Sequence, residues 1–361
     1  LTNSAFLLGL VGFLGSMPIF LLSLFGGVVA DRINKKKILI FTQIAFMLLA
    51  FALGVLTQLK LITPFQIMLI AALNGIIMAF DAPARQAIVV ELTGRVHLLN
   101  AIALNSAAFN SARIIGPALA GVLISMLGMS GCFYLNGVSF LALLISLWMI
   151  ETNSFINKNN QSHLVKDLFA GLEFMRKNRV ILILISMVGV TSVFGISYVI
   201  LIPVVAKEVL KIGVKGFGML MSSTGIGALL AALLLARLGD FKAKGKLLIV
   251  SAIVFSFSLV FFSLSKVYLI SLIALVFIGG SSVLAMALVN TLLQINVADE
   301  FRGRVISAFM FTFSGLMPFG NLFAGVLSEV LGVSLTLMIG GIICAVFFIA
   351  INIFCPEIKR I

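Results

Sequence analysis

The chain has 361 residues, of which 61% are hydrophobic and only 10% charged, whereas a soluble domain carries about 25% charged residues, so composition predicts a membrane protein. We attribute the net charge of +13 to lysines and arginines in cytoplasmic loops facing anionic lipid, and not to nucleic-acid binding. Three cysteines without metal-ligand spacing and two histidines offer no metal centre, and no cofactor is expected.

Eleven apolar stretches are long enough to cross about 30 Å of hydrocarbon, which takes about 20 helical residues. These stretches are 4–30, 37–59, 64–86, 98–127, 131–150, 180–206, 214–238, 246–264, 267–296, 304–331 and 333–355. Between the fifth and the sixth, residues 151–179 are polar and then amphipathic, which predicts a linker with a helix on the inner membrane surface. The predicted organisation is an N-terminal bundle over 1–150, this linker, and a C-terminal six-helix bundle over 180–361.

The basic residues indicate the orientation of these spans. Of the 25 lysines and arginines, 19 fall in one alternating set of connections and five in the other, with Arg113 alone inside a span. The richer set and the C-terminus are therefore expected in the cytoplasm, with residue 1 outside. Shifting the span near 180–209 back by 209 residues places a further helix just before Leu1. We therefore expect the encoded protein to have twelve spans, arranged as six plus six.

Two blocks of residues recur at a spacing of 209. The repeated pairs are Asp31/Asp240, Lys35/Lys244, Lys37/Lys246, Glu91/Glu300, Gly94/Gly303 and Arg95/Arg304. A third block, Gly116 with Gly121, recurs as Gly320 with Gly325 at a spacing of 204. Two similar halves of a hydrophobic chain predict a secondary transporter with its substrate path between the halves.

The first repeated block lies in a short connection after an apolar span. Residues 27–36 read Gly-Val-Val-Ala-Asp-Arg-Ile-Asn-Lys-Lys and resemble the signature loop of the major facilitator superfamily, Gly-x3-Asp-Arg-x-Gly-basic-basic. Asn34 stands where that pattern has glycine, and because both residues enter left-handed backbone readily, we expect the tight turn to persist. Other segments resemble the branch that holds enterobactin-type siderophore exporters and macrolide efflux proteins. These segments are 80–86, 100–105, 116–117, 294 and 302–305.

The resemblance implies an all-α membrane protein with the two-bundle fold of that superfamily, with eleven of twelve transmembrane helices present here. It implies a monomeric, multi-pass protein of a bacterial-type plasma (inner) membrane, whose partners are the lipid bilayer and a small-molecule substrate. The implied activity is export of a siderophore or a bulky amphipathic drug by alternating access, as in multidrug-resistance antiporters. A proton gradient is the expected energy source.

An acid at the cytoplasmic end of a helix opposes the negative end of the helix dipole, so Asp31 requires a cationic or amide partner, which Arg85 can supply. Asp81 lies one turn deeper, at i−4 from Arg85, where an acid is costly inside a membrane. We predict that Asp31, Arg32, Asp81 and Arg85 form a cytoplasmic latch that breaks in one transport state; the alternative is that these charges only set topology. The full predicted gate set is Gly27, Asp31, Arg32, Lys35, Lys36, Asp81, Arg85, Asp240, Arg302 and Arg304.

The two halves differ at this point. At the spacing of 209, Asp81 corresponds to Asn290 and Arg85 to Gln294, so a charged pair in one half is a neutral amide pair in the other. We expect a hydrogen bond to persist between the second pair, with titration confined to the N-terminal half.

Arg113 is the one charge well inside a predicted span, about 15 residues or about 22 Å from the inner face. A lone guanidinium there costs about 3 kcal/mol or more unless it has a partner or lines a wet cavity. Its candidate neighbours are Asn105, Asn110 and Asn136. We predict a substrate or coupling role for Arg113; the alternative is a structural arginine satisfied by carbonyls and amides.

Gly116-Pro117-Ala-Leu-Ala-Gly121 resembles the Gly-Pro-x-x-Gly-Gly segment of proton-driven antiporters. Small residues let two helices approach backbone to backbone, and Pro117 bends this one. The expected role of Gly116, Pro117 and Gly121 is a seam that seals the outer gate; the alternative is a plain kinked packing seam.

Competing functions leave fewer signals in the sequence. An ATP-driven pump would need a phosphate-binding Gly-x4-Gly-Lys-Ser/Thr loop, and a membrane-embedded enzyme would need clustered catalytic groups at one depth; the sequence offers neither. An enzyme is therefore not expected. An uptake carrier for a small metabolite remains the alternative to an exporter, and a membrane-embedded protein without transport activity is the alternative from another class.

Overall fold

The computed structural model describes residues 2, 4–150, 178–239, 241–297 and 299–360. Over these residues the chain is helical, without strands. The helices are α1 (Ala5–Arg32), α2 (Lys35–Gln58), α3 (Pro64–Met149), α4 (Arg179–Val190), α5 (Tyr198–Val204), α6 (Val214–Leu238), α7 (Lys244–Leu264), α8 (Tyr268–Ile295), α9 (Asp299–Leu331) and α10 (Val333–Phe354). The predicted surface helix of the 151–179 linker lies outside the described residues, apart from its last two positions.

Ten segments of the described chain are long and apolar enough to cross a membrane. Nine of them match nine predicted spans one to one, and the tenth, Ala107–Met149, contains parts of the two spans predicted at 98–127 and 131–150. That segment has 43 residues and would extend about 64 Å as a straight helix, twice the hydrocarbon thickness of about 30 Å. The prediction of an all-α membrane protein is confirmed.

α3 is helical from Pro64 to Met149, but its contacts with α2 show that it cannot be straight. It begins a few residues after α2 ends and returns along it. Its last part also runs antiparallel to α2, because Tyr134 donates to the Gln58 side chain at one end and Lys36 donates to the Ile150 carbonyl at the other. Because the first and last parts of α3 both run antiparallel to α2, the chain between them must reverse its direction twice.

Gly128 is an irregular position within α3. This glycine has φ +73°, in the left-handed region that residues with a Cβ rarely adopt. It lies between the spans predicted at 98–127 and 131–150. The left-handed residue and the 43-residue length of Ala107–Met149 agree with two separate spans at 98–127 and 131–150.

Side-chain caps define where several helices begin. Thr63 and Gln66 form a reciprocal capping box at the start of α3, next to Pro64 in the first turn. Asn34 caps α2, because its side chain accepts a hydrogen bond from the backbone N–H of Lys37. The tight turn is present, since only two residues separate α1 from α2, but Asn34 has φ −56° and does not use the left-handed backbone from which the turn was predicted. Asparagine is suited to this position because its side-chain oxygen reaches a free N–H of the first turn.

The described chain divides into two compact units. One contains Leu10–Phe109 and residues 120–150. The other contains Ser4–Gly9, Asn110–Leu119 and all described residues from 178 onward. The first turn of α1 and a short stretch of α3 therefore group with the C-terminal unit. Large buried side chains of that unit include Phe255, Phe262 and Phe348, which are at most 1% exposed.

The span Arg179–Val209 is interrupted by two π-helical segments, Thr191–Gly195 and Val205–Val209, which hydrophobicity alone did not predict. At the first segment the Ser192 hydroxyl donates to the Phe313 carbonyl of α9 at 2.8 Å. π-segments inside α-helices occur frequently at functional sites, because they locally widen the helix and redirect side chains.

Candidate functional site

Asp81 of α3 is 1% exposed, and its carboxylate is fully hydrogen-bonded. Its Oδ1 accepts from the Thr42 hydroxyl and from the Gln43 Nε2, each at 2.7 Å. Its Oδ2 accepts from Arg85 Nε at 3.1 Å and Nη2 at 2.9 Å, in the two-pronged geometry that favours arginine over lysine. A buried carboxylate is stable only when its lone pairs are satisfied, and here four donors from two helices satisfy them.

The Asp81–Arg85 pair was predicted from its i,i+4 spacing, whereas Thr42 and Gln43 were missed. Both lie within the apolar run of α2, where a threonine and a glutamine are unusual enough to serve as a signal. Both are nearly fully buried, at 2% and 1% exposed. The Gln43 Oε1 is buried and has no hydrogen-bond partner among the described residues, so the amide is bonded to Asp81 through its NH₂ group alone.

A second cluster lies at the beginning of α2. Lys35 Nζ is 3.4 Å from Glu91 Oε2, with both side chains about nine-tenths buried. Among the described residues neither carboxylate oxygen of Glu91 accepts a hydrogen bond, so the contact with Lys35 is an attraction between charges. Lys36 Nζ donates to the Ile150 carbonyl at 2.6 Å and to the Trp148 carbonyl at 3.2 Å, which places a cation at the negative end of α3.

The other predicted gate residues are placed as follows. Arg32 is exposed and is not among the groups that donate to Asp81. A Cβ on Gly27 would meet nothing within 4 Å, whereas one on Gly26 would overlap the Ala79 carbonyl, so the close helix approach belongs to Gly26. Arg304 lies over the Phe301 ring at 5.6 Å. The side chains of Asp31 and Arg302, and Asp240 as a whole, lie outside the described residues.

The corresponding pair of the second half, on α8, is neutral. Gln294 Nε2 donates to Asn290 Oδ1 at 3.3 Å, so the expected hydrogen bond is present. The residues at the positions of Thr42 and Gln43 are Ser251 and Ala252. The Ser251 hydroxyl donates to carbonyls of its own helix, and Ala252 has no polar group.

Arg113 is exposed in this structure and groups with the C-terminal unit. It lies close enough to Tyr198 of α5 to interact electrostatically with it. Its backbone carbonyl and the Cα of Ile114 lie within about 3 Å of where a Cβ on Gly225 of α6 would sit. Arg113 therefore projects from a point where α3 and α6 are in backbone contact. Tyr198 and Gly225 were not among the predicted site residues.

The predicted asparagine neighbours of Arg113 are less informative. Asn105 and Asn136 are exposed and belong to the other compact unit. The side chain of Asn110 lies outside the described residues. The structure therefore leaves their predicted role as a prediction.

The close approach expected at Gly116 is found elsewhere. A Cβ on Gly116 would meet nothing within 4 Å, Pro117 is half-buried and Gly121 is buried. Gly320, the repeat of Gly116, instead packs its backbone against the π-segment, where a Cβ would come within 2.7 Å of the Ser192 carbonyl. The close backbone packing predicted at Gly116 is thus found at Gly320, the corresponding glycine of the second half.

Gly325, the repeat of Gly121, lies against Gly9 of α1, and neither position has room for a Cβ. One turn further along α9, Glu329 accepts hydrogen bonds from the Ser4 hydroxyl and the Phe6 N–H, both at 3.0 Å. The carboxylate thus caps the beginning of α1, where the helix dipole favours negative charge. This contact was not predicted either, because its partners are more than 320 residues apart.

The chain is similar to known membrane proteins in both sequence and fold. A family model described as "Transmembrane secretion effector" matches residues 1–360. The chain belongs to this family, within the major facilitator superfamily. The solved structure of a D-xylose-proton symporter aligns with 100% of this chain and 90% of its own length, with a TM-score of 0.78 at 14% identity. That structural likeness confirms that the chain has the two-bundle fold.

Curated relatives of this family member are transporters. It is 29% identical to the staphyloferrin A transporter of Staphylococcus aureus, over 94% of this chain and 85% of that protein. It is 21% identical to macrolide efflux protein A of Streptococcus pyogenes, over 100% and 89%. It is 25% identical to the enterobactin exporter EntS of Citrobacter koseri, over 84% and 73%. The chain is therefore a multi-pass membrane transporter of the major facilitator type and not an enzyme.

Proposed function

We propose that this protein exports a siderophore or a bulky amphipathic drug across the bacterial inner membrane by alternating access, driven by a proton gradient. The observation that carries the proposal is that curated relatives named for siderophore transport and for macrolide efflux align with 84–100% of the chain. An apolar, phenylalanine-rich chain with one tryptophan suits a bulky amphipathic compound better than a sugar. The C-terminus lies in the cytoplasm, and the protein works as a monomer without a bound cofactor.

The Asp81 cluster is proposed as the latch of the cytoplasmic gate. Its hydrogen bonds join α2 to α3, so the two helices can separate at this point only when a buried carboxylate loses donors. Such a loss is expensive in a low-dielectric interior, which makes the closed arrangement discrete and not graded. Opening therefore requires a compensating event, such as protonation of the carboxylate or replacement of its donors.

Arg113 is proposed as the residue that meets an anionic substrate or couples transport to protons. Its guanidinium is exposed from a transmembrane segment, where an unpaired cation is costly. An anion such as a catecholate would supply the opposite charge through a two-pronged, charge-assisted contact. Tyr198, which interacts electrostatically with Arg113, is itself buried.

The experiment that tests the proposal measures accumulation of siderophores and of macrolides in cells with and without the full-length protein. Lower accumulation in producing cells, abolished by a protonophore, is the expected result. Higher accumulation in producing cells would establish the alternative, an uptake carrier for a small metabolite. Export that persists when the proton gradient is collapsed would overturn the proposed energy source.

Two Arg113 variants refine the assignment. Arg113→Lys keeps the charge but loses the planar fork, and is expected to retain only part of the export activity. Arg113→Gln is expected to abolish export of anionic substrates and to spare neutral or cationic ones. An equal loss for all substrates would assign Arg113 to coupling or folding, and wild-type export of an anion by Arg113→Gln would remove it from the site.

A further inference from the structure

An apolar groove lies between α6 and α7, two consecutive helices joined by the short connection 239–243. Both helices pack extensively against α8, but they make almost no contact with each other along their described lengths. α6 and α8 touch backbone to backbone at Gly227, where a Cβ would overlap the Val276 carbonyl. The gap between α6 and α7 is a cavity of about 290 Å³, with α8 as its floor.

The groove is lined by apolar groups that are open to the side of the helices. Its walls include Leu230 and Val250, each 56% exposed. Two serines line it, Ser251 of α7 and Ser281 of α8, and both donate their hydroxyls to carbonyls of their own helices. The groove therefore offers an occupant little hydrogen bonding, and a hydrocarbon chain fits its chemistry. From Gly227 to Leu234 it extends about 10 Å along α6, a third of the hydrocarbon thickness of about 30 Å.

Basic residues continue the groove at one end. On α6 the lining positions 227, 230, 231 and 234 lead to Arg237 one turn further, and on α7 the lining position 250 leads back to Lys246 at i−4. Both side chains are exposed, as is Lys242 in the connection between the helices. Within the described chain none of these three has a hydrogen bond or ion pair to another residue. Their charges are available to a ligand.

We propose that this groove is a binding site for an anionic phospholipid. One acyl chain lies between α6 and α7 on the surface of α8, and the phosphate of the headgroup contacts Arg237 and Lys246. The apolar groove matches the acyl chain, and the basic residues beyond its end match the phosphate. The two features follow one another along the membrane normal in the same order as these two parts of a lipid. The site is specific to the second half: Lys246 has a counterpart in Lys37, whereas the position 209 residues before Arg237 is occupied by Val28.

The headgroup contact is tested with full-length protein reconstituted in phosphatidylcholine vesicles with or without phosphatidylglycerol, then extracted in mild detergent for native mass spectrometry. The wild type is expected to retain phosphatidylglycerol, and Arg237→Gln/Lys246→Gln to retain about tenfold less. Lys37→Gln, which removes the equivalent exposed lysine of the first half, is the matched control and is expected to retain the wild-type amount. Equal retention by the double variant, or equal retention of phosphatidylcholine by the wild type, would overturn the proposal.

The acyl-chain slot is tested with two substitutions on the same helix. Leu230→Trp fills the groove, whereas Leu233→Trp changes a leucine that is 58% exposed but does not line it. Retained phosphatidylglycerol is expected to fall severalfold in Leu230→Trp only, with both variants eluting as the same monodisperse species. Loss in neither variant would mean that the basic residues bind lipid headgroups without an acyl chain in the groove. Loss in both would mean that retention does not depend on the position that lines the groove. Either result would refute the site as proposed.

Discussion

Two pairs of residues occupy equivalent positions in the two halves, Asp81 with Arg85 and Asn290 with Gln294. The members of each pair lie four residues apart on one helix. The first pair is a buried carboxylate bound by a guanidinium. The second is a hydrogen bond of 3.3 Å between two amides, with Gln294 exposed. The repeated backbone position is thus shared, while charge and burial are not.

The neighbouring helix accounts for this difference. α2 supplies two donors, Thr42 and Gln43, to the carboxylate of the first half. In α7 the corresponding Ser251 bonds within its own helix, and Ala252 is apolar. A carboxylate at position 290 would therefore lack two of the four donors that Asp81 has. Among the described residues, α7 therefore offers an acid at position 290 neither of the donors that α2 offers Asp81, which accounts for the neutral amide there.

The largest expected effect is that of Asp81→Asn, which gives the first half the chemistry of the second. The asparagine NH₂ would face the Thr42 and Gln43 donors, and Arg85 would lose its counter-ion. Because Arg85 is half-exposed, we expect a loss of about 2 kcal/mol of stability and not the full cost of a buried orphan charge. Transport is expected to fall by about tenfold or more while the protein still inserts, as measured by substrate accumulation and by thermal unfolding of purified protein. Unchanged transport would reduce these charges to a topological role.

Much of the fold could be predicted because hydrophobicity records it directly: each predicted span has an apolar counterpart in the structure. Tertiary contacts could not be predicted, because they depend on where helices cross. Gly116 and Gly320 are repeats of one another, yet only Gly320 packs against a neighbouring backbone. Asp81 and Arg85 were paired by their spacing alone, whereas the bonds from Thr42 and Gln43 depend on the register between α2 and α3. The π-segment at Thr191–Gly195 has no hydrophobic signature.

Arg85→Gln is expected to have the next largest effect. The Asp81 carboxylate keeps its Thr42 and Gln43 donors but loses Arg85, which is half-exposed to solvent. We therefore expect a loss of about 1 kcal/mol of stability. If the cluster is a latch, the cytoplasmic gate opens more readily, and a cysteine at the fully buried Ala84 becomes accessible to a membrane-impermeant thiol reagent. Labelling in a background without Cys132, Cys344 and Cys355 measures this change.

Two results would count against the latch. Labelling of the Ala84→Cys reporter should rise severalfold in Arg85→Gln and stay low in Lys37→Gln, which removes an exposed cation from the first turn of α2. An equal rise in both would indicate that any loss of loop charge loosens the helices. No rise in either, together with normal transport, would leave Arg85 as a topological charge.

Asn290→Asp addresses the comparison from the other half. The new carboxylate would be half-buried and would receive a hydrogen bond from Gln294 but none from Ser251 or Ala252 as they are placed here. We expect a loss of about 1 kcal/mol of stability, measured by thermal unfolding, with little change in transport. The control is Asn290→Leu, which removes the polar group without adding charge. If Asn290→Asp were as stable as the wild type, a shortage of donors could not explain why the second half is neutral.

Gln294→Ala is expected to have the smallest effect. An exposed hydrogen bond between side chains at i and i+4 stabilises a helix by only about 0.2–0.5 kcal/mol, and alanine recovers part of that through its higher helix propensity. Arg85→Ala, at the equivalent position of the first half, removes two hydrogen bonds to a buried carboxylate and is the matched comparison. Assayed together for transport and thermal unfolding, Arg85→Ala should be impaired while Gln294→Ala stays close to the wild type. Similar impairment of transport in both variants would mean that the neutral pair belongs to the gate as much as the charged pair. Gate function would then depend on the position that the two halves share and not on the charge at that position.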